Sequence, residues 1–130
     1  PVHVLMAPLI PGLNDTEAMD IVKASAEAGA RSLSHIIVRL NGDLGEVFSD
    51  WLEKQYPDRK EKVLHMIQAC HDGSLQDSRF GTRMRGTGNI ADMIAQTVKL
   101  AKRKYMPDRQ MPAYNLELYE QIKHKQWSLF

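Results

Sequence analysis

The sequence predicts an α/β fold with a parallel sheet, because two buried-type strands flank a helix. The first apolar run, Val2 to Ala7, precedes Pro8, which cannot donate a ladder hydrogen bond and should end the strand nearby. The second run, His35 to Leu40, is also nearly continuous in apolar residues, as in strands covered on both faces. A strand, a helix and a strand within about 40 residues indicate a βαβ unit with a right-handed crossover.

The helix between the strands has signals at both ends. Asn14 and Glu17 fit a capping box at its start, and Ala28-Gly29 fits a left-handed cap at its end. The segment APLIPGLND, Ala7 to Asp15, is then the loop at the carboxyl end of a parallel strand. Ligands of α/β folds collect at such ends.

The rest of the chain predicts helices joined by polar segments. Leu44 to Tyr56 has a strong amphipathic period that ends at Pro57, and Asp58 with Glu61 fits a second capping box. The polar, glycine-rich stretch 72–89 predicts a long loop. Predicted helices therefore lie at 44–56, 58–71, 90–105 and 115–124. We divide the chain into residues 1–105 and a C-terminal tail, 106–130.

Length and composition predict one globular domain. The chain has 130 residues, 43% of them hydrophobic and 25% charged, which is typical of globular proteins. A net charge of +1 neither requires nor excludes a nucleic-acid partner. No run approaches the ~20 apolar residues of a membrane helix, so no membrane partner is expected. The single cysteine, Cys70, excludes an internal disulfide and indicates a reducing, cytoplasmic location.

Two parallel strands are too few for a stable sheet. The missing strands should come from a second copy of the chain or from an N-terminal region that precedes it. The chain begins at Pro1 and enters strand-like sequence at once, which favours a fragment, although a trimmed complete domain would begin in the same way. Self-association of the fragment is a further expectation, because exposed sheet edges and apolar faces favour it.

Two candidate ligand-binding features lie at the strand ends. The loop around Pro11 and Asn14 could line a nucleotide-like ligand, or it could be only a rigid connection. Arg39, near the end of the second strand, could bind an anion or carboxylate, or it could form a salt bridge with a neighbouring carboxylate.

A basic segment precedes the 90–105 helix. Its arginines, Arg79, Arg83 and Arg85, could contact phosphate or nucleic acid, although a solvated mobile loop has the same composition. The pattern Gly86-x-Gly88-x-x-Ala91 has the spacing of a dinucleotide-binding fingerprint, but no predicted strand precedes it, so the context of that motif is missing. None of the five histidines has metal-ligand spacing. Cys70 is expected to be a small core residue, so no catalytic residue or metal ligand is predicted.

The last five residues, 126–130, form a candidate linear motif. They could dock on the chain's own core or bind a partner's groove in extended form. The pentapeptide resembles the bacterial sliding-clamp-binding motif, with Gln126 first and Leu129-Phe130 last.

Taken together, four segments resemble the C-terminal part of radical S-adenosylmethionine (SAM) proteins of the spore-photoproduct-lyase-like group. They read, in order, APLIPGLND, EAGARSLSHIIVRL, VFSDWLEKQYPDRKEKVL and FGTRMRGTGNIADMI. The resemblance covers about Pro1 to Tyr105. It implies an incomplete (βα)6 barrel of TIM type, followed by C-terminal helices. The two strands would be its fifth and sixth.

The resemblance also implies cofactors for the full-length parent. In the family a CxxxCxxC motif holds a 4Fe–4S cluster, and SAM binds its free iron and is cleaved to a radical. The implied SAM-bordering residues here are Leu9, Ile10, Pro11, Asn14, Arg39 and Leu40. Since CxxxCxxC is absent, the fragment should hold no cofactor and be inactive alone. Its main partner would be the missing N-terminal part of the barrel. Asn41 also replaces a proline that relatives tend to have.

Three functions therefore stay open. The first is a fragment of a bacterial radical SAM enzyme, for which a DNA-lesion substrate, and hence DNA repair, is an analogy at the level of the fold. The second is a protein-interaction module that uses the C-terminal motif on a sliding clamp. The third is a phosphate- or nucleic-acid-binding segment, with DNA as the partner of the arginines.

Overall fold

The computed structural model describes residues 1–123, which form a mixed α/β structure. Short 3-10 turns, Asp15–Glu17 and Pro57–Arg59, precede the first and third helices. The elements in chain order are β1 (His3–Leu9), α1 (Ala18–Glu27), β2 (Ser32–Ile37), α2 (Leu44–Gln55), α3 (Lys60–Cys70), α4 (Gly88–Tyr105) and α5 (Leu116–Lys123).

Strands β1 and β2 pair in parallel, which confirms the predicted βαβ unit. The register joins Met6 to His35 and Leu9 to Ile37, with an irregularity between Met6 and Leu9. The Ala7–Pro8 peptide within that irregularity is cis. Strand β1 thus continues one residue past Pro8, because the register shift accommodates a residue without an N–H. Strand β2 begins and ends three residues earlier than predicted.

Helices α1 and α4 cover one face of the sheet. Met6, Leu33 and Ile37 are buried on that face, together with Val22 of α1 and Val98 of α4. A second, smaller apolar cluster lies beside the carboxyl end of β2. It contains Val38, Leu40, Leu52, Val63 and Ile67, and it joins α2 to α3.

The opposite face of the sheet is open in the described part of the chain. His3, Leu5 and Ala7 on β1 are exposed, Leu5 by 53%. The His3 ring hydrogen-bonds the hydroxyls of Ser32 and Ser34, at 2.8 Å for Ser34. Within residues 1–123 the apolar strand residues pack against one helical layer only, so the predicted covering of both faces depends on strands from outside this part of the chain and stays a prediction.

Both predicted capping boxes are wrong. The turn Asp15–Glu17 comes before α1, and the turn Pro57–Arg59 comes before α3, so neither predicted cap precedes its helix directly. No side chain caps either helix. The predicted end of α1 is confirmed: Gly29 has φ +89°, and the Ala30 N–H donates to the Ser25 carbonyl over 3.0 Å.

Helix α2 keeps its predicted amphipathic period but buries little of it. Leu52 is fully buried, whereas Leu44 and Val47 are 56% and 63% exposed. Trp51 stacks on Phe48, with ring centroids 5.6 Å apart, and is itself 39% exposed. We call Leu44, Val47 and Trp51 the α2 apolar face. Among residues 1–123, no helix is both long and apolar enough to span a bilayer.

Candidate functional site

The loops that follow β1 and β2 meet at one end of the sheet. The Val38 N–H donates to the Leu9 carbonyl over 2.8 Å, immediately beyond the paired strands. Leu9 ends β1, and the other five predicted SAM-bordering residues lie on these two loops, at 10–14 and 39–40. The carboxyl ends of parallel strands are the usual position of a ligand site in α/β folds.

The side chain of Asn14 organises the first loop from within. Its Oδ1 accepts the Ile10 N–H at 2.7 Å, and its Nδ2 donates to the Pro8 carbonyl at 3.2 Å. Asp15 adds a bond from the Gly12 N–H, 3.0 Å long. These bonds are why Asn14 does not cap α1. They make the loop a rigid corner, and its contact with a nucleotide-like ligand stays a prediction.

Only part of the predicted residue set presents side chains at this end. Leu9, Pro11 and Leu40 are buried in the apolar clusters or beside them, so backbone atoms are what they can offer a ligand. Ile10 and Arg39 are half-buried. The side-chain chemistry of the site therefore rests mainly on Arg39.

Arg39 does not form the salt bridge that was one of its two readings, and its role as an anion or carboxylate binder stays a prediction. Its guanidinium Nη1 donates to the backbone carbonyl of Asp77 over 3.4 Å, and no carboxylate of residues 1–123 lies within ion-pair distance. The predicted salt bridge is thus wrong within the described residues. The remaining N–H groups of the guanidinium make no hydrogen bond to described residues, so the side chain is held in place while keeping donors for an anionic or polar group.

A buried polar network holds the backbone of the second loop, which follows β2, in place. The side chain of His71 is fully buried, with Nε2 donating to the Val38 carbonyl at 2.8 Å. Its Nδ1 lies 3.1 Å from Asp77 Oδ2. A carbonyl and a carboxylate both accept hydrogen bonds, so each ring nitrogen of His71 faces an acceptor.

Asp77 is the centre of the network. Arg79 donates to its carboxylate from Nε at 3.0 Å and from Nη2 at 2.8 Å, and its backbone N–H adds a third bond at 2.9 Å. The hydrogen bonds from the Arg79 side chain hold the pKa of the Asp77 carboxyl well below its usual range, with smaller contributions from its backbone N–H and from His71. Asp77 is therefore ionised although its side chain is 1% exposed.

The network extends to both neighbouring loops. Arg79 also pairs with Asp72, whose other carboxylate oxygen accepts the Thr87 hydroxyl at 3.0 Å. On the other side, the Asp77 N–H donates to Asn41 Oδ1 at 3.2 Å. Proline could not supply this acceptor, so Asn41 has a structural role here. The loop 71–87 thus fixes the backbone of residues 38–41.

Sequence reasoning missed this network. His71, Asp72 and Asp77 lie in a stretch with no helical or strand period, and their partners are up to 38 residues away. The only local signal is the acid-base grouping HDGSLQDSR at 71–79, which has the composition of a solvated loop. The predicted long loop is present, since residues 71–87 form no helix or strand, but the polar groups of 71–79 pair with each other inside the protein.

The three arginines proposed for phosphate binding do not act together. Arg79 is engaged by two carboxylates, which leaves it poorly suited to a nucleic-acid phosphate. The Arg83 side chain makes no hydrogen bond or ion pair to residues 1–123. Arg85 is exposed and lines a separate cleft between β2 and α4.

The glycines of the apparent dinucleotide fingerprint serve packing. Gly86 has φ +71°, and a Cβ there would lie 3.0 Å from the Cys70 carbonyl and 3.2 Å from the Ala91 side chain. Thr87 then donates its N–H to the same Cys70 carbonyl at 2.8 Å. The pattern therefore reflects close contact between the loop and the end of α3.

The described residues do not fit an iron–sulfur cluster. Cys70 is the one cysteine of the chain; it is fully buried, and burial raises the pKa of its thiol to about 11. Among residues 1–123, no three His, Cys, Asp or Glu side chains are grouped to hold a metal ion. A cluster would need thiolates from elsewhere. The proposed partner motif, with Gln126, Leu129 and Phe130, lies outside the described residues.

Comparison of the chain with models of protein families, with curated proteins and with solved structures found no match. The class defined by the coordinates is accordingly a mixed α/β chain with a candidate site at the carboxyl ends of two parallel strands.

Proposed function

We propose that this chain is the C-terminal part of a radical SAM enzyme of the spore-photoproduct-lyase-like group. Its strands β1 and β2 would be the fifth and sixth strands of an incomplete (βα)6 barrel. The observation that supports this most is the 2.8 Å hydrogen bond from the Val38 N–H to the Leu9 carbonyl, which brings the beginnings of the two strand-end loops together. It gathers at one site the residues that the family resemblance implies for SAM.

The covering of the sheet supports the barrel. In βα barrels, helices cover the outside of the strands and the other face lines the interior. Here α1 and α4 cover one face, while His3 and Leu5 lie on an open face. A sheet of two strands also leaves backbone groups unpaired at its edges. Strands from an N-terminal part of the same barrel would pair with these edges and enclose the open face.

SAM fits the residues present at the strand ends, whereas the cluster does not. The rigid corner at residues 9–14 offers backbone atoms and the half-buried Ile10, and Arg39 offers free guanidinium donors. The cluster ligands would lie in the N-terminal part. SAM bound to that cluster would supply the radical chemistry of the full-length enzyme. The residues of this chain would bind and orient the SAM molecule.

A binding experiment on the full-length protein tests this function. The anaerobically purified protein, with its cluster reconstituted, should bind SAM in equilibrium dialysis. Arg39→Ala should weaken binding by about tenfold, since one charge-assisted hydrogen bond would be lost. Arg31→Ala is the matched control, because Arg31 is exposed at the other end of β2. Failure of the reconstituted protein to bind SAM would reject the function, and unchanged affinity in Arg39→Ala would reject the role given to Arg39.

A second candidate, a protein-interaction module, is favoured by the α2 apolar face. Three large apolar side chains there are between 39% and 63% exposed, and they belong to one helix. The clamp-like motif at 126–130 stays a prediction. Deleting these five residues and measuring binding to a purified sliding clamp tests it. Equal binding with and without them, or no binding at all, would end the proposal.

A further inference from the structure

A cleft of about 580 Å³ lies between β2 and α4, away from the strand-end loops. Its floor includes Leu33 and His35 from the strand and Val98 from the helix. Met106, Pro107 and Arg109, which follow α4, form another part of its wall. A concavity of this size is in the range of small-molecule sites.

The cleft is strongly positive. Lys99, Lys102 and Arg103 lie on consecutive turns of α4 with spacings of three and four residues, so they share one helical face. Arg85 and Arg109 approach from the two loops that flank the helix. No Asp or Glu lines the cleft in the described part of the chain. Five cations therefore converge without a carboxylate among the lining residues.

Two of these cations are fixed by backbone carbonyls. Lys102 Nζ donates to the Leu33 carbonyl over 2.8 Å. Arg109 Nη1 donates to the carbonyls of Ala26 and Ala30, over 2.6 and 2.8 Å. Neutral carbonyls orient these groups but do not cancel their charge. The side chains of Arg85, Lys99 and Arg103 make no hydrogen bond or ion pair to residues 1–123.

The pKa of His35 is affected by the positive charges of the cleft. Burial lowers the pKa of its imidazole, and the charges of Arg85 and Lys102 lower it further. Its Nε2 atom is buried and has no hydrogen-bond partner among the described residues. A bound anion near Arg85 and Lys102 would oppose their effect on this ring.

We propose that this cleft binds a small phosphorylated molecule with at least two negative charges. Lysine and arginine are the side chains that recognise phosphate oxygens, and Arg85, Lys99 and Arg103 retain unused donors. The apolar lining by Val98 and Met106 would contact the organic part of the ligand. The concave form favours a compact ligand over an extended nucleic-acid backbone. This site is independent of the proposed SAM site.

Isothermal titration of the full chain with pyrophosphate and with ATP, at low ionic strength, tests this site. Both should bind, and the double variant Lys99→Ala/Arg103→Ala should bind at least about tenfold more weakly. Both substituted residues are exposed, so circular dichroism should show an unchanged fold. Lys104→Ala is the matched control: it lies on the same helix, outside the cleft, over the Tyr105 ring.

Nuclear magnetic resonance adds a local readout. Pyrophosphate should shift the His35 ring protons in the wild-type chain and leave those of the exposed His65 unchanged. Absence of saturable binding by either probe, or equal affinity in the double variant, would overturn the proposal. Binding of a single-stranded oligonucleotide without binding of pyrophosphate or ATP would also overturn it, in favour of a nucleic-acid surface.

Discussion

His71 and Asp77 face each other inside the protein, with Nδ1 and Oδ2 3.1 Å apart and both side chains almost completely buried. The other ring nitrogen of His71 binds the Val38 carbonyl, next to the hydrogen bond that joins the two strand-end loops. This pair therefore links the loop 71–87 to the candidate site.

His71→Ala should lower the free energy of unfolding by about 2 to 4 kcal/mol, because it leaves the Val38 carbonyl and the Asp77 carboxylate short of a buried donor. Urea denaturation measures the change. His65→Ala is the control, since His65 is exposed on α3, the helix that ends just before His71. Equal stability of the two variants would show that the His71 bonds contribute nothing net.

Acid should weaken the network through Asp77. Its folded pKa lies below the ordinary value of 3.8, so its contribution to stability is complete above that pH and decreases as the pH falls toward the folded pKa. The difference in unfolding free energy between the wild type and Asp77→Asn should therefore be larger at pH 5 than at pH 2.5. A difference that does not change over this range would show that the carboxylate is not specially stabilised.

The Cys70 thiol should react slowly in the folded protein. A rise in its pKa from 9.0 to about 11 lowers the thiolate fraction at pH 8 by about 100-fold, and burial blocks access as well. Reaction with a chromogenic disulfide reagent should be at least that much slower than in urea. An Ala24→Cys variant, with a second thiol at an exposed position, should show one fast and one slow reaction. Two fast reactions would mean that Cys70 is accessible.

Gly86→Ala should destabilise the fold by about 1 to 3 kcal/mol, because a Cβ meets the Cys70 carbonyl at a positive φ. Gly81→Ala is the matched control: φ there is +90°, and a Cβ would meet nothing within 4 Å. Thermal unfolding of both variants separates the contact from the backbone strain. If Gly81→Ala loses as much stability as Gly86→Ala, the contact between the added Cβ and the Cys70 carbonyl does not destabilise the fold.

Local sequence signals predicted the elements well where one physical effect dominates. Apolar runs located both strands, and Gly29 and Pro57 marked the ends of α1 and α2, because backbone conformation at these residues is decided locally. The observed boundaries of β2 differ from the predicted ones because pairing with β1 decides which residues form the strand. That pairing cannot be deduced from the sequence of one strand alone.

The candidate site shows the opposite case. Asn14 is a residue type that favours helix N-caps. Its side chain instead binds the Ile10 N–H and the Pro8 carbonyl, because the rigid corner brings both backbone groups within reach. Asp77 is polar and lies in a loop, yet it is buried because His71 and Arg79 surround it. Such choices depend on contacts that form only when the chain is folded, so periodicity and propensity do not reveal them.

The central claim is that this chain completes a barrel whose cluster-binding part precedes it. Sequencing the genomic codons upstream of Pro1 tests it most directly. We predict an open reading frame that continues in phase and encodes CxxxCxxC within about 200 residues, a span set by the size of βα barrels. A start codon immediately before Pro1, with no such motif in frame, would contradict the account.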